Sequence, residues 1–200
     1  MWLNHANRRR GRLYRGRKKG GGRLSQRVKR QSKTLSIHSR PLIVRKRKRI
    51  GDWERDGMYG AHRQQLLVLT ERKSRYTRIG KMGTGKSRQV AELSKEILLS
   101  LRKRVFTITN DNGTEFNDTA SLPCKVYFCD PQKPQQRGTV ENTVGLLRQY
   151  IKRNTDLDTL TKEEIKSLEN KINFRPRKCL DYKTPFEVFF KKKVALAMLI

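Results

Sequence analysis

The chain has 200 residues, with 48 Lys and Arg against 18 Asp and Glu and a formal charge of +30 at pH 7. A surplus of that size opposes compaction by self-repulsion and calls for a polyanionic partner, of which nucleic acid is the first candidate. No apolar stretch approaches the ~20 residues of a membrane span, and Met1-Trp2-Leu3 is followed by polar and basic residues where an export signal would place its apolar core, so the expected location is the cytoplasm.

The charge is unevenly placed. The first fifty residues hold 19 Lys and Arg and no acid, while residues 51–200 hold 29 bases and 18 acids. This predicts a largely disordered basic arm over 1–49, one core-forming domain over 50–192 and a short tail over 193–200. Within the arm, Arg8, Arg9, Arg10, Arg12, Arg17, Lys18 and Lys19 flank a run of three glycines, and their density reads as a phosphate-binding segment that meets DNA without regard to sequence. The three cysteines are odd in number and lie apart from His5, His38 and His62, which favours incidental thiols over a disulfide framework or a zinc site.

After Gly51, Asp52-Trp53-Glu54-Arg55-Asp56 opens a strand, and its three acids alternate onto one face. Gln65 to Thr70 is a continuous apolar β run suited to burial on both faces, Lys73-Ser74 makes a turn, and Tyr76 to Met82 reads as a third strand of an antiparallel meander. Ser87 is expected to cap a helix carrying Val90, Leu93, Ile97, Leu98 and Leu101 at helical spacing. Val105 to Thr109 is a strand ending at the turn signal Asn110-Asp111-Asn112-Gly113, which sets a carboxylate at the end of a central strand. Lys125 to Cys129 is a further strand. A helix then runs from Thr139 to Asn154, with Val140, Val144, Leu147 and Ile151 on one stripe and Glu141, Gly145, Arg148 and Lys152 on the next. Thr161 to Glu164 is a capping box for a helix ending near Phe174, and Thr184-Pro185-Phe186-Glu187 starts a last one. Strands followed by alternating strands and helices give a mixed α/β sheet with flanking helices.

Asp56, Asp111 and Glu141 are each ordinary alone. Together they place acids on a first strand, at the end of a central strand and on a helix start. Two carboxylates ~4 Å apart repel by about 4 kcal/mol at an effective dielectric of ~20, so a cluster of three needs protons or a cation. All-oxygen ligands select Mg²⁺ or Mn²⁺, and two such ions suit in-line attack on a phosphodiester. A competing motif is Gly80-Lys81-Met82-Gly83-Thr84-Gly85-Lys86-Ser87, a complete GxxxxGK[ST] match. The charged alternation of Tyr76 to Ile79 is unlike the buried parallel strand that precedes a phosphate-binding loop, so no nucleotide is expected. A third reading is a non-catalytic DNA-binding protein, which needs only the charge.

Several ordered motifs carry a resemblance. Ile50-Gly51-Asp52-Trp53-Glu54 with Asp56, Leu69-Thr70-Glu71-Arg72-Lys73-Ser74-Arg75-Tyr76 and Thr109-Asn110-Asp111-Asn112-Gly113-Thr114-Glu115-Phe116 come first. Gln136-Arg137-Gly138-Thr139 with Glu141-Asn142, Gly145-Leu146-Leu147-Arg148-Gln149-Tyr150, and Asn173 with Arg175-Pro176-Arg177-Lys178 follow. The stretch from about residue 37 to 190 resembles the DDE transposases of the insertion-sequence-thirty group, from prokaryotic mobile elements. The resemblance implies a ribonuclease-H-like, integrase-type core with Asp56, Asp111 and Glu141 as a metal-binding triad for two ions. It implies DNA strand cleavage and strand transfer, double-stranded DNA of element ends and target as partner, and a homo-oligomer on that DNA. Arg148 would meet donor phosphate, with Lys152 and Arg137 also on DNA. Family members usually carry an N-terminal helix-turn-helix region before the basic linker, so this chain reads as a truncated copy. Arg55 stands where the family commonly has Gly, placed to pair with Asp56 or to crowd the metal. The Asp111 to Glu141 interval, with 29 residues between, is a few shorter than usual, which predicts a displaced Glu141 helix.

Overall fold

The computed structural model describes residues 35–83 and 85–193; the arm residues Arg8, Arg9, Arg10, Arg12, Arg17, Lys18 and Lys19 and the tail from 194 lie outside them. The apolar runs of the middle of the chain form the expected meander. β2 (Asp52–Tyr59) pairs antiparallel with β3 (Gln65–Glu71), and β3 with β4 (Thr77–Lys81). On the other side of β2, β5 (Thr107–Asn110) and β6 (Lys125–Phe128) add in parallel, and β1 (Leu35–Ser36) adds in parallel at the edge. The sheet order is β1-β6-β5-β2-β3-β4, which puts β2 and β5 side by side at its centre.

β1 corrects the expected boundary of the arm. Residues 35–49 belong to the folded part: β1, a single 3₁₀ turn at Ile37–Ser39 and α1 (Leu42–Arg45) precede β2. Of their apolar side chains Ile37 and Val44 are buried, while Leu35, Leu42 and Ile43 are exposed. Their bases bond inward, Arg40 Nη1 donating to Thr109 Oγ1 at 2.9 Å and Arg49 donating twice to the Asp52 carboxylate at 2.9 and 3.0 Å. Composition alone hides a strand whose partner lies about ninety residues on.

The pleat of β2 sorts its side chains. Trp53 joins Leu67, Leu69 and Ile108 in a cluster under α2 (Ser87–Ser100), through Val90, Ile97 and Leu98. α5 (Pro185–Phe190) closes that cluster with Phe189, stacked on Tyr76 at 4.5 Å and edge-on to Trp53 at 5.8 Å. On the opposite face, Met58, Leu66, Val68 and Ile79 pack against Val140 and Leu147 of α3 (Gly138–Leu147) and Ile165, Leu168 and Ile172 of α4 (Lys162–Asn173). β3 is buried from Leu66 to Glu71 between these layers, as its unbroken apolar run requires.

Two helix boundaries differ from expectation. Ser87 is the first residue of α2 and makes no capping bond; Lys86 is the N-cap. α3 ends at Leu147, with Arg148 as its C-cap, instead of running to Asn154. Its last bonds tighten to i→i−3, Gln149 N to Leu146 O at 3.1 Å and Tyr150 N to Leu147 O at 2.9 Å. The chain then folds back so that Ile151 and Leu157 are buried and Ala61 N donates to Thr155 O at 2.9 Å. Gly60 permits this return: a Cβ there would lie 2.3 Å from Leu157 Cγ.

The glycines of the GxxxxGK[ST] motif have other work. A Cβ at Gly80 would lie 2.8 Å from Ile97 Cδ1, and Gly83 and Gly85 adopt positive φ of 56° and 67°. The strand they follow, β4, is an antiparallel edge strand, not the buried parallel strand of a phosphate-binding loop.

The capping box of α4 forms as read: Thr161 Oγ1 accepts from Glu164 N at 3.1 Å, and Glu164 Oε2 accepts from Thr161 N at 2.7 Å. Thr161→Ala is expected to lower stability by about 1 kcal/mol in urea unfolding, with unchanged slope against denaturant.

Candidate active site

β2, β5 and α3 deliver the three predicted acids to one place. Asp56 lies on β2, on the α3 side of the pleat; Asp111 directly follows β5, the parallel neighbour of β2; and Glu141 is in the first turn of α3. One guanidinium touches all three. Arg137 Nη1 is 3.1 Å from Asp56 Oδ1, and Nη2 is 3.5 Å from Asp111 Oδ2 and 3.9 Å from Glu141 Oε1. The Arg137 side chain is 9% exposed, the acids 19%, 35% and 33%, so the cation sits inside and the carboxylates open to solvent. Arg137 Nη1 also donates to Arg55 O at 3.3 Å.

Neighbouring backbone fixes two of the acids. Asp56 Oδ1 accepts from Gly57 N and Asp111 Oδ1 from Gly113 N, both at 2.9 Å. Burial pushes the Asp56 carboxyl up from its ordinary value against the pull of Arg137, and burial likewise raises Glu141. Burial also works against the Arg137 charge, but Asp56 and Asp111 outweigh it and hold the guanidinium above its ordinary value.

The other two acids of β2 share the face of Asp56 and are spent on structure. Asp52 takes Arg49 and the Thr107 hydroxyl. Glu54, fully buried, accepts from Arg72 through Oε1 and from Thr139 N and Val140 N, both at 2.9 Å, through Oε2. It thereby fastens the N-terminus of α3, where orphan N–H groups favour an anion, to the central strand. That fastening holds the first turn of α3, which carries Glu141, against β2.

Arg55 does not pair with Asp56. It points to the α2 side, fully buried, with Nε donating to Asn110 Oδ1 at 3.1 Å, Nη1 donating to Ser94 Oγ at 2.9 Å, and its guanidinium 4.5 Å from the centre of the Phe116 ring. Burial pulls its pKa down to about 10. Asn110 immediately precedes Asp111, so Arg55 steadies the end of β5 from beneath.

The basic residues expected on DNA are placed differently from one another. Arg137 spends its guanidinium on the acids. Arg148, past the end of α3, donates through Nη2 to Tyr59 O at 2.6 Å, and Lys152 is exposed in the following turns. Arg148, the C-cap of α3, still donates its N–H to Val144 O at 3.0 Å and lies about two turns on from Glu141, whereas Lys152 lies past the end of the helix. The role of Arg137 among the acids was missed, although its i,i+4 spacing to Glu141 signals a pair; the buried fastening of Glu54 carries no such sequence signal.

The donor set fits a hard divalent cation: three carboxylates, oxygen only, around one positive centre. As the side chains stand, the described residues contain no group of three His, Cys, Asp or Glu arranged to hold a metal ion, because the carboxylates are grouped around the fork of Arg137 and not around a point.

No protein-family model matches the chain. The transposase for insertion sequence element IS4351 of Bacteroides fragilis is 35% identical over 199 residues, covering 94% of this chain and 61% of that protein. Transposase InsI for insertion sequence element IS30A of Escherichia coli K12 is 40% identical over 165 residues, covering 80% and 43%. The chain is a homologue of the insertion-sequence-thirty group of transposases. This transposase homologue spans about half the length of the curated relatives it matches. Its fold is that of retroviral integrase cores, ribonuclease-H-like. The catalytic core domain of BIV integrase superposes with a TM-score of 0.52 at 20% identity, covering 70% of this chain and 94% of that one. A chain of the simian T-cell lymphotropic virus intasome in complex with PP2A regulatory subunit B56 gamma gives 0.56 at 20% identity, covering 72% and 55%. Among the described residues, no helix of the homologue is long and apolar enough to cross a membrane.

Proposed function

We propose that the chain is a transposase catalytic region that cuts and joins DNA strands, with Asp56, Asp111 and Glu141 as the acids that hold two Mg²⁺ or Mn²⁺ ions. The observation that carries this reading is the convergence of the three acids, from two strands and a helix, on one guanidinium within 3.9 Å. When bound, the metal supplies activation of the attacking oxygen and stabilisation of the leaving oxygen.

The reaction is phosphodiester hydrolysis followed by transesterification. Water attacks phosphorus at an element end, the bond to the 3′ oxygen breaks, and a 3′-hydroxyl and a 5′-phosphate result. That hydroxyl then attacks phosphorus in a target strand and displaces another 3′ oxygen, so no covalent link to the protein is needed. Asp56 and Asp111 are held by their own backbone turns, Glu141 by the Glu54 fastening of α3, and Arg137 balances their charge. Arg148 and Lys152 serve the DNA backbone next to Glu141, and the basic arm supplies affinity that falls with salt. The partner is double-stranded DNA and the working form a homo-oligomer, in the bacterial cytoplasm; the intasome named for the structural relative supports an assembly on DNA.

The test is strand transfer: a labelled oligonucleotide with a free 3′-hydroxyl is incubated with plasmid, Mn²⁺ and the purified chain. Labelled plasmid is expected, with none in Asp111→Asn. DNA binding without joining in either protein would favour the non-catalytic DNA-binding reading.

A further inference from the structure

A helix turns about 100° per residue, which sets Thr139 and Thr143 on the side of α3 opposite Glu141, with Asn142 on the flank between. That side faces a cavity of about 370 Å³. Three guanidiniums line it from three separate segments: Arg47 from the turn after α1, Arg75 from the β3–β4 turn, and Arg177 from the connection between α4 and α5. Arg47 and Arg75 both donate to the single Thr139 hydroxyl oxygen, at 3.2 and 2.8 Å, and Arg177 donates to Ile172 O at 3.1 Å.

None of the three takes part in an ion pair with a carboxylate among the described residues. Nε of Arg75 and Nε of Arg177 are buried without a hydrogen-bond partner. Burial and the neighbouring arginines hold Arg47 and Arg177 below their ordinary values. Like charges ~4 Å apart repel by about 4 kcal/mol at an effective dielectric of ~20, so such a cluster is unfavourable unless an anion joins it. Planar guanidinium forks match the oxygens of a phosphate.

We infer that this cavity binds one backbone phosphate of the DNA, on the face of α3 opposite Glu141. This rests on the DNA-processing reading above and adds to it a second contact on the helix that carries the third acid. The phosphate is assigned to the strand and not to a free anion, because the cavity is built on α3, the helix whose first turn carries Glu141.

Cys179 makes the site readable. It is exposed and lines the cavity, whereas Cys129 is buried and Cys124 half-buried, both thiols pushed up to about 12 by burial. Iodoacetamide near neutral pH therefore reads Cys179, by mass spectrometry of the full chain in EDTA. A short duplex of arbitrary sequence at ten times its Kd is expected to slow Cys179 alkylation about tenfold. In Arg47→Gln/Arg177→Gln most of that protection is lost and the slope of log affinity against log salt falls in magnitude by about 1. Inorganic phosphate at matched ionic strength is the control: slowing by both phosphate and duplex supports the site, and slowing by phosphate alone overturns the DNA assignment. An unchanged Cys179 rate in wild type with saturating duplex also overturns it, as does full protection and an unchanged salt slope in the double variant. Because EDTA removes catalysis from this experiment, absence of strand transfer would count against the catalytic reading and leave the phosphate site standing.

Discussion

Arg137→Met is expected to lower stability in EDTA by about 3 kcal/mol and to tighten Mn²⁺ binding by at least about tenfold. Methionine keeps much of the buried length and removes the charge. Three carboxylates then face one another without the cation that lies 3.1 to 3.9 Å from each, and the cost is that of leaving buried charge unpaired. It falls at the low end of that range because Asp111 and Glu141 keep 35% and 33% of their exposure. A divalent ion and the guanidinium are alternative answers to the same repulsion, so removing one strengthens the demand for the other. The signature is a crossover: urea unfolding shows the variant below wild type in EDTA, and saturating Mn²⁺ restores more stability to the variant than to wild type. Calorimetric titration gives the affinities. Equal stability and equal Mn²⁺ affinity in the two proteins would show that Arg137 does not balance the acids.

Glu54→Leu is expected to cost about 3–5 kcal/mol, because it leaves Arg72 as a buried cation and strips the acceptor from two N–H groups at the start of α3. Removing both charges costs less than removing one. The double variant Glu54→Leu/Arg72→Met is therefore expected to unfold at a higher urea concentration than Glu54→Leu alone. A double variant less stable than either single variant would contradict the reading of Glu54 and Arg72 as a mutually dependent pair. Loss of the fastening also frees the N-terminus of α3, so strand transfer should fall in the single variant even at temperatures where it remains folded.

Much of this was legible from local pattern. The unbroken run in β3, the alternation of acids with Trp53 along β2, and the capping box of α4 each follow from a few neighbouring residues, and the acids of β2, β5 and α3 converge because the sheet order brings their ends together. What escaped depended on distant partners. β1 sits in basic sequence and is a strand only because β6 is there to pair with it. Ile151 is buried as its place on the apolar stripe predicts, but α3 stops early and the chain folds back past Gly60 to bury Leu157, which no helical periodicity records. Arg55 beside Asp56 looked like a threat to the acid, but alternation along a strand sends adjacent side chains to opposite faces, and its partners are Asn110 and Ser94.

The most direct test of the triad is plasmid nicking in Mn²⁺ by wild type, Asp56→Asn, Asp111→Asn and Glu141→Gln, each shown by circular dichroism to be folded. Nicking by wild type, abolished by EDTA and by each of the three substitutions, is the predicted result. Nicking at the wild-type rate in any of the three would contradict the assignment of that acid, and nicking unaffected by EDTA would contradict the metal-dependent centre.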